Sequence, residues 1–176
     1  MQLRLTRKLI TAVLLSSCVA AAPALANEPE AALSSAEQGD YLLELKRLYL
    51  TQNERQALFA HCNDLLETYA LRAAYQVGQA QRQDLLYQLS PGESGELLLR
   101  EETRGQQGTD IAVRNRRIGV FGADPFVRYD CPASGISCVL HNPNDGSPLL
   151  TIVRDHKGAA ELAKALSFLI RNLQKG

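Results

Sequence analysis

The sequence predicts an α+β fold with two N-terminal helices, an antiparallel meander of about five short strands, and a C-terminal amphipathic helix packed on the sheet. Apolar residues recur at intervals of three and four within residues 42–89 and again within 159–173, and this is the period of a helix. From residue 92 to residue 153 the apolar runs are short and are bounded by Gly, Pro, Asn or Asp, which is typical of strands joined by turns. Helices on both sides of a run of strands indicate the α+β class, with the helices segregated to one side of the sheet.

Residues 1–26 predict a secretory signal peptide. Basic side chains at positions 4, 7 and 8 precede a short apolar run, and small residues form a signal-peptidase site that ends at Ala26. The tetrapeptide Leu15-Ser16-Ser17-Cys18 resembles the lipobox of bacterial lipoproteins, which implies a lipid anchor on Cys18 as the alternative. We expect cleavage before Asn27, because residues 19–26 are apolar whereas lipoprotein tethers are usually polar. The expected location is the periplasm or the exterior after secretion, with a membrane-anchored lipoprotein as the alternative.

The mature chain has the size of one domain. Residues 27–34 are polar and contain Pro29, which predicts a disordered lead-in, and residues 35–176 suffice for a single α+β domain with its own core. Removing the leader leaves 16 basic and 19 acidic side chains, and this mildly acidic balance argues against nucleic-acid binding. No later segment reaches the roughly 20 apolar residues that a transmembrane helix needs.

The first two helices have recognisable start signals. A serine at 34–35 is expected to cap the first helix, which should end near Leu50. The polar residues 51–54 predict the start of the second helix, which we expect to run to about Leu89 with a bend at Gly78. The apolar stripe of this second helix comprises Leu58, Cys62, Leu65, Leu66, Tyr69, Ala73, Val77, Leu85, Leu86 and Leu89.

Several short segments are candidate strands. They are residues 96–100, 110–113, 118–121, 126–129, 138–141 and 149–153. The first two are separated by the turn-rich residues 104–108 and predict a hairpin. Residues 142–148, with the sequence Asn-Pro-Asn-Asp-Gly-Ser-Pro, predict a turn before the last strand.

Three cysteines remain after the leader, which is an odd number for an oxidising compartment. Cys131 and Cys138 flank a short loop that contains Pro and Gly, and we expect them to form a disulfide that contributes about 2 kcal/mol. Pairings through Cys62 stay open. The place of Cys62 on the apolar stripe predicts a packed thiol rather than a nucleophile activated by His61.

Four residues are candidates for catalysis, namely His141, His156, Asp130 and Asp155. An enzyme requires them to converge on one pocket, whereas the simpler interpretation makes Asp155 the cap of the C-terminal helix. The sequence lacks the Gly-x-Ser-x-Gly elbow, the His-Glu-x-x-His metalloprotease pattern and the dinucleotide fingerprint. The spacing of its cysteines and histidines matches no paired zinc pattern. We therefore expect no metal site and no cofactor.

A basic run, Arg-Asn-Arg-Arg, occupies residues 114–117. Arg114, Arg116 and Arg117 are candidate binding residues for an acidic partner, for anionic lipid headgroups or for envelope polysaccharide. The alternative is that they form a turn that keeps a hairpin end soluble and oppose the glutamates of the neighbouring strand.

These observations favour an exported, envelope-associated protein that acts as a non-catalytic binding or adaptor domain for an envelope protein or a small ligand. One alternative is a small envelope hydrolase with an unrecognised His/Asp site, and the other is a lipid-anchored structural protein. We expect the binding surface to be the sheet face that the helices leave uncovered, together with residues 114–117.

Overall fold

The computed structural model describes residues 35–105 and 110–176. The predicted signal peptide 1–26, the lipidation candidate Cys18, the lead-in 27–34 and part of the predicted turn 104–108 lie outside these ranges. Within the described ranges, none of the helices is both long enough and apolar enough to cross a membrane.

The described residues form helices at both ends of the domain and strands between them. In chain order these are α1 (Ser35–Leu48), α2 (Glu54–Thr68), a 3-10 turn (Ala73–Tyr75), β1 (Gln83–Pro91), β2 (Glu96–Gly105), β3 (Ile111–Gly119), β4 (Tyr129–Asp130), β5 (Ser137–His141), β6 (Pro148–Val153) and α3 (His156–Gln174). The predicted α+β fold, with two N-terminal helices, short antiparallel strands and a C-terminal helix, is confirmed.

The strands of the described chain form two antiparallel sheets of three rather than one meander. β1, β2 and β3 are neighbours in the first sheet, and β4, β5 and β6 are neighbours in the second. The chain that follows α2 joins the two sheets, because Ala70 pairs with Ile152 of β6 and Leu71 pairs with Leu85 of β1. The first sheet therefore extends from this junction, and β3 is the strand farthest from it in the sheet order.

The expected extension of the second helix to Leu89 is wrong, because α2 ends at Thr68 and residues 83–91 form β1. Leu85, Tyr87 and Leu89 alternate along this strand, which is the period of a sheet rather than of a helix. β1 pairs with β2 along its whole length. This long-range pairing outweighs the local helix signal of the segment.

The connection between α2 and β1 also differs from the predicted helix. Val77, which the helical pattern placed on the buried stripe, is 78% exposed. Gly78 does not bend a helix but lies outside any helix at a φ of 84°, a backbone conformation that glycine adopts readily. The start of α2 is at the predicted place, and its cap is Asn53, whose Oδ1 accepts a hydrogen bond from the N–H of Gln56 at 3.1 Å.

The predicted hairpin of residues 96–100 and 110–113 is present as β2 and β3, both longer than expected. Residues 118–121 are not a separate strand, since β3 continues to Gly119. Of the expected strand 126–129 only Tyr129 is in a strand, as the first of the two residues of β4. The basic run 114–117 therefore lies inside β3 and not in a turn.

The core of the domain lies between the helices and the two sheets. α3 packs against α2 and contacts β4 and β5, and it buries a wide stripe that comprises Ala159, Leu162, Ala163, Ala165, Leu166, Phe168, Leu169, Ile170 and Leu173. Asp155 caps this helix as predicted, since its Oδ1 accepts a hydrogen bond from the N–H of Gly158 at 2.7 Å. A Cβ atom at Gly158 would come within 2.6 Å of the Tyr69 ring, so the absence of a side chain lets this ring pack on the first turn of α3.

The predicted disulfide between Cys131 and Cys138 is present. It links the residue after β4 to the second residue of β5, and it closes the loop 132–137 between these two strands. Cys62 is unpaired and fully buried in α2, in agreement with its predicted place among the apolar side chains.

Candidate functional site

The hydrogen-bond pattern of the first sheet shows which backbone groups of β3 point away from β2. The N–H of Val120 donates to the carbonyl of Gly95 at 2.8 Å, and the N–H of Gly105 donates to the carbonyl of Asp110 at 2.9 Å. These two bonds flank an uninterrupted antiparallel register, in which hydrogen-bonded and non-hydrogen-bonded pairs alternate. The outward-pointing N–H and C=O groups are therefore those of Ile111, Val113, Asn115, Arg117 and Gly119.

One end of this outer edge is closed by the loop between β5 and β6. Asn144 donates its side-chain amide to the carbonyl oxygen of Gly119 at 2.9 Å. No other described residue bonds to an outward backbone group between Ile111 and Arg117. We call this seven-residue stretch, Ile111 to Arg117, the open edge.

The side chains of the open edge are mostly exposed. Ile111 and Val113 lie on the outer face of the sheet, where 56% and 48% of their surface is accessible. Buried residues on the opposite face, among them Leu97, Leu99 and Ile118, belong to the core. The open edge thus combines unpaired backbone groups with two accessible β-branched side chains.

The basic run is divided between the two faces of the sheet, because side chains alternate along a strand. Arg116 lies on the core side, where it donates to the carbonyls of Pro148, at 3.4 Å, and Leu149 and contacts the Glu101 carboxylate at 3.4 Å. These contacts tie β3 to the start of β6. Arg116 thus stabilises the packing of β3 against β6 and is not available to bind a partner.

Arg114 and Arg117 differ from Arg116. Both are exposed, and neither makes a hydrogen bond or an ion pair with the described residues. Because the positions differ by three, Arg114 lies on the core side of β3 and Arg117 on its outer face. Glu101 is the cross-strand partner of Arg114 but forms no ion pair with it, whereas the cross-strand partner of Arg117 is the uncharged Leu98. Both guanidinium groups are thus without a direct ion pair among the described residues.

Two other arginines on the outer face are already neutralised. Arg100 contacts Glu102 at 2.5 Å, and Arg104 also forms an ion pair with Glu102, which is only 6% exposed. Hydrogen bonds from Arg104 and then from Arg100 hold the pKa of the Glu102 carboxyl below its usual value. The free positive charge of this sheet is therefore concentrated on β3.

The four candidate catalytic residues do not converge. His141 and Asp130 are brought together, with 2.7 Å between Nε2 and Oδ2, while Nδ1 of His141 lies 3.0 Å from the carbonyl oxygen of Gly146. The antiparallel register of β5 and β6 places His141 at one end of this pair of strands, whereas Asp155 and His156 follow β6 at the other end. Asp155 is used as the helix cap and His156 is exposed.

His141, but not Asp130, borders a small cavity of about 150 Å³. Its lining comprises Asp124, Phe126, Arg128, His141, Asn142, Pro143 and Gly146. Among the described hydrogen bonds, none joins His141 to a serine, threonine or cysteine. Both ring nitrogens instead anchor structural partners, one in the β5–β6 loop and one at the end of β4.

Sequence reasoning missed a polar network between the three helices. Tyr41 donates to Oε1 of Glu161 at 2.8 Å, Nε2 of His61 lies 3.2 Å from the same oxygen, and Tyr49 Oη lies 3.0 Å from His61 Nδ1. The hydrogen bond with His61, together with that of Tyr41, holds the pKa of Glu161 below its usual value although partial burial opposes this. Burial raises the pKa of Tyr41 and raises the pKa of Tyr49 to about 12.

The members of this network come from positions up to 120 residues apart in the sequence. No local sequence motif therefore predicts it. His61 is 9% exposed, and its two ring nitrogens both have partners within the network. The neighbouring Cys62 is fully buried, and burial raises the pKa of its thiol, which opposes a role as a thiolate nucleophile. The network fastens α1 and α2 to α3.

No group of three or more potential metal ligands occurs among the described residues. The two cysteines that a zinc site would have needed are joined in the disulfide. No protein-family model matches the sequence, and neither the curated proteins nor the solved structures include a significant match.

Proposed function

We propose that this chain is a non-catalytic binding or adaptor domain that recognises another protein chain through the open edge of β3. The observation that carries this proposal is the row of outward backbone donors and acceptors from Ile111 to Arg117 for which no described residue is a partner. An extended peptide that lies beside such an edge forms main-chain hydrogen bonds with it, which is a recurring mode of peptide recognition.

The chemistry of the open edge supports this function. Exposed strand edges are normally short, covered or twisted away, because they pair with other chains. Here the edge is seven residues long, and Ile111 and Val113 add accessible apolar area beside the backbone groups. The arginines at 114 and 117 favour specific recognition over indiscriminate association, since like charges repel a second basic strand.

We infer from the leader sequence that the partner is met outside the cytoplasm. A basic start, a short apolar run and a small-residue cleavage site support export to the periplasm or beyond. Acylation at Cys18 is the alternative, and it would tether the same binding domain to a membrane. An intact-mass measurement of the purified mature chain distinguishes the two, because a diacyl or triacyl adduct on Cys18 excludes cleavage at Ala26.

A small hydrolase is the second candidate, and the contact between His141 and Asp130 beside a cavity is the observation in its favour. Hydrolysis requires a nucleophile or an activated water next to this pair. A panel of ester, peptide and glycoside substrates tests it. Turnover that is lost in His141→Ala while the variant stays folded establishes the hydrolase, and absence of turnover on the whole panel removes it.

Site-specific photo-cross-linking in cells tests the binding function. A photoreactive residue at Val113 on the open edge should form an adduct with another protein, whereas one at the more exposed Val77, outside the sheets, should not. Asn115→Pro in the Val113 probe should abolish the adduct, because a proline ring at this outward position blocks an incoming strand. An adduct that persists in the Asn115→Pro variant, or that is as strong from Val77, contradicts the proposal.

A further inference from the structure

We infer that the segment bound at the open edge is an extended acidic peptide and not a second copy of this chain. This inference rests on the proposed function, since it names the partner class of that edge. The first step is the charge balance of the sheet. Arg100 and Arg104 share Glu102, and Arg116 is engaged with Glu101 and with backbone carbonyls. Arg114 and Arg117 have no such partner among the described residues.

The spacing of Arg114 and Arg117 determines where acidic residues must lie in the bound peptide. Arg114 and Arg117 lie three positions apart, on opposite faces and about 10 Å apart along the strand. Cross-strand neighbours share a face. A partner strand that neutralises both arginines therefore carries acidic residues three positions apart, one on each of its faces.

The part of the open edge that contains Ile111 and Val113 requires apolar residues in the bound peptide. Ile111 and Val113 are two positions apart and lie together on the outer face. A partner that buries them carries apolar, preferably β-branched, residues at the two positions opposite. The recognised pattern is thus apolar, any, apolar, acidic, any, any, acidic in a parallel strand, and the reverse order in an antiparallel strand.

A second copy of the chain does not fit this pattern. Antiparallel self-pairing centred on the open edge places Arg114 opposite Arg114 of the other copy, and it places Arg117 opposite Ile111. Like charges directly opposite each other are destabilising. In this centred register the basic residues of β3 therefore act against self-association, and β3 itself carries no acidic residue between Ile111 and Arg117 that could neutralise them.

Synthetic peptides and the full chain test the inference by fluorescence anisotropy. The matched peptide has the pattern above in a threonine background, a lysine peptide replaces its two acidic residues, and a shuffled peptide places the two acidic residues adjacent to each other. The matched peptide should bind at least tenfold more tightly than the other two. The double variant Arg114→Glu/Arg117→Glu should reverse the preference toward the lysine peptide, and Arg47→Glu on the exposed surface of α1 should not.

Two variants separate the possible failures. Asn115→Pro should abolish peptide binding and remain folded by circular dichroism, because the N–H of Asn115 points outward, whereas Ala112→Pro removes a bond of the β2–β3 ladder and should unfold more readily. Equal binding of the matched and lysine peptides, or no reversal by the double variant, overturns the acidic-partner inference while the cross-link at Val113 still supports the edge function. Peptide binding that survives Asn115→Pro overturns both. A dimer in sedimentation that Asn115→Pro dissociates makes the second copy the occupant and overturns this inference alone.

Discussion

Asn144, in the loop between β5 and β6, donates a hydrogen bond from its side-chain amide to the carbonyl oxygen of Gly119 at 2.9 Å. This contact covers the last residue of β3 and so limits the length of its exposed edge. Asn144→Ala should lower the free energy of unfolding by about 1 kcal/mol, since two exposed hydrogen bonds of its side-chain amide are lost, to the carbonyl of Gly119 and to Oδ1 of Asn142 at 3.3 Å. Asn144→Asp should cost about as much, because the carboxylate cannot donate. Urea denaturation measures both, and an aspartate variant as stable as the wild type would show that the donor is not used.

Arg116 should contribute to the stability of the fold, whereas Arg114 and Arg117 should not. Arg116→Ala removes charge-assisted hydrogen bonds to the carbonyls of Pro148 and Leu149 and should destabilise the protein by about 2 kcal/mol. Arg114→Ala and Arg117→Ala should change the stability by no more than about 0.5 kcal/mol. Chemical denaturation of the three variants gives the comparison. Similar costs at all three positions would contradict the division of roles.

Glu161 should make the stability pH-dependent in the acid range. Its pKa in the folded state is lowered from the ordinary value of 4.5 by hydrogen bonds from His61 and Tyr41. The resulting stability is therefore fully present above about pH 4.5 and is lost as the pH falls through the lowered pKa. The difference in unfolding free energy between the wild type and Glu161→Gln should shrink over that acid window, and it should shrink less in a Tyr41→Phe background. A difference that is constant with pH would refute this assignment.

Removal of the disulfide should cost about 2 kcal/mol, which is the chain-entropy expectation for so short a loop. The variant Cys131→Ala/Cys138→Ala tests this by thermal and urea denaturation. Dithiothreitol should destabilise the wild type to a similar extent and leave the variant unchanged. Equal stability of oxidised wild type and variant would mean that the bond adds nothing to the folded state.

Gly158→Ala should destabilise the protein although alanine is the better helix former. The helical preference favours alanine by up to about 1 kcal/mol, but its Cβ would lie within 2.6 Å of the Tyr69 ring, and such overpacking costs about 1–3 kcal/mol. With the ring removed in Tyr69→Ala, the same substitution should become neutral or stabilising. A double-mutant cycle measures the coupling, and its absence would contradict the close contact.

The parts of the fold that the sequence predicted are those whose signals are local. Asp155 as a cap and the wide apolar stripe of α3 lie within one segment, and the turn at 142–148 and the short cysteine loop are equally local. The error at β1 arose because Leu85 and Leu89 suit a helix as well as a strand. The pairing with β2, which is a contact between separate segments, decides between the two.

The candidate site was predicted only in part for the same reason. The basic run at 114–117 stood out in the sequence, but its members acquire different roles from the strand geometry. Alternation sends Arg116 toward β6, and it leaves Arg114 and Arg117 exposed on opposite faces. The pairing of His141 with Asp130, and its separation from His156, likewise depends on the register of β4, β5 and β6.

The sequence by itself determined the α+β class, the disulfide, the cap and stripe of α3, and the expectation of export, because periodicity, capping and spacing act over a few neighbouring residues. Only the tertiary structure decided that the strands divide into two sheets and that β3 is an edge strand. It also decided which backbone groups of β3 lack a hydrogen-bond partner and which of its arginines lack an ion pair among the described residues. Those properties depend on which strand lies beside which, and on one hydrogen bond from Asn144 that crosses between the sheets.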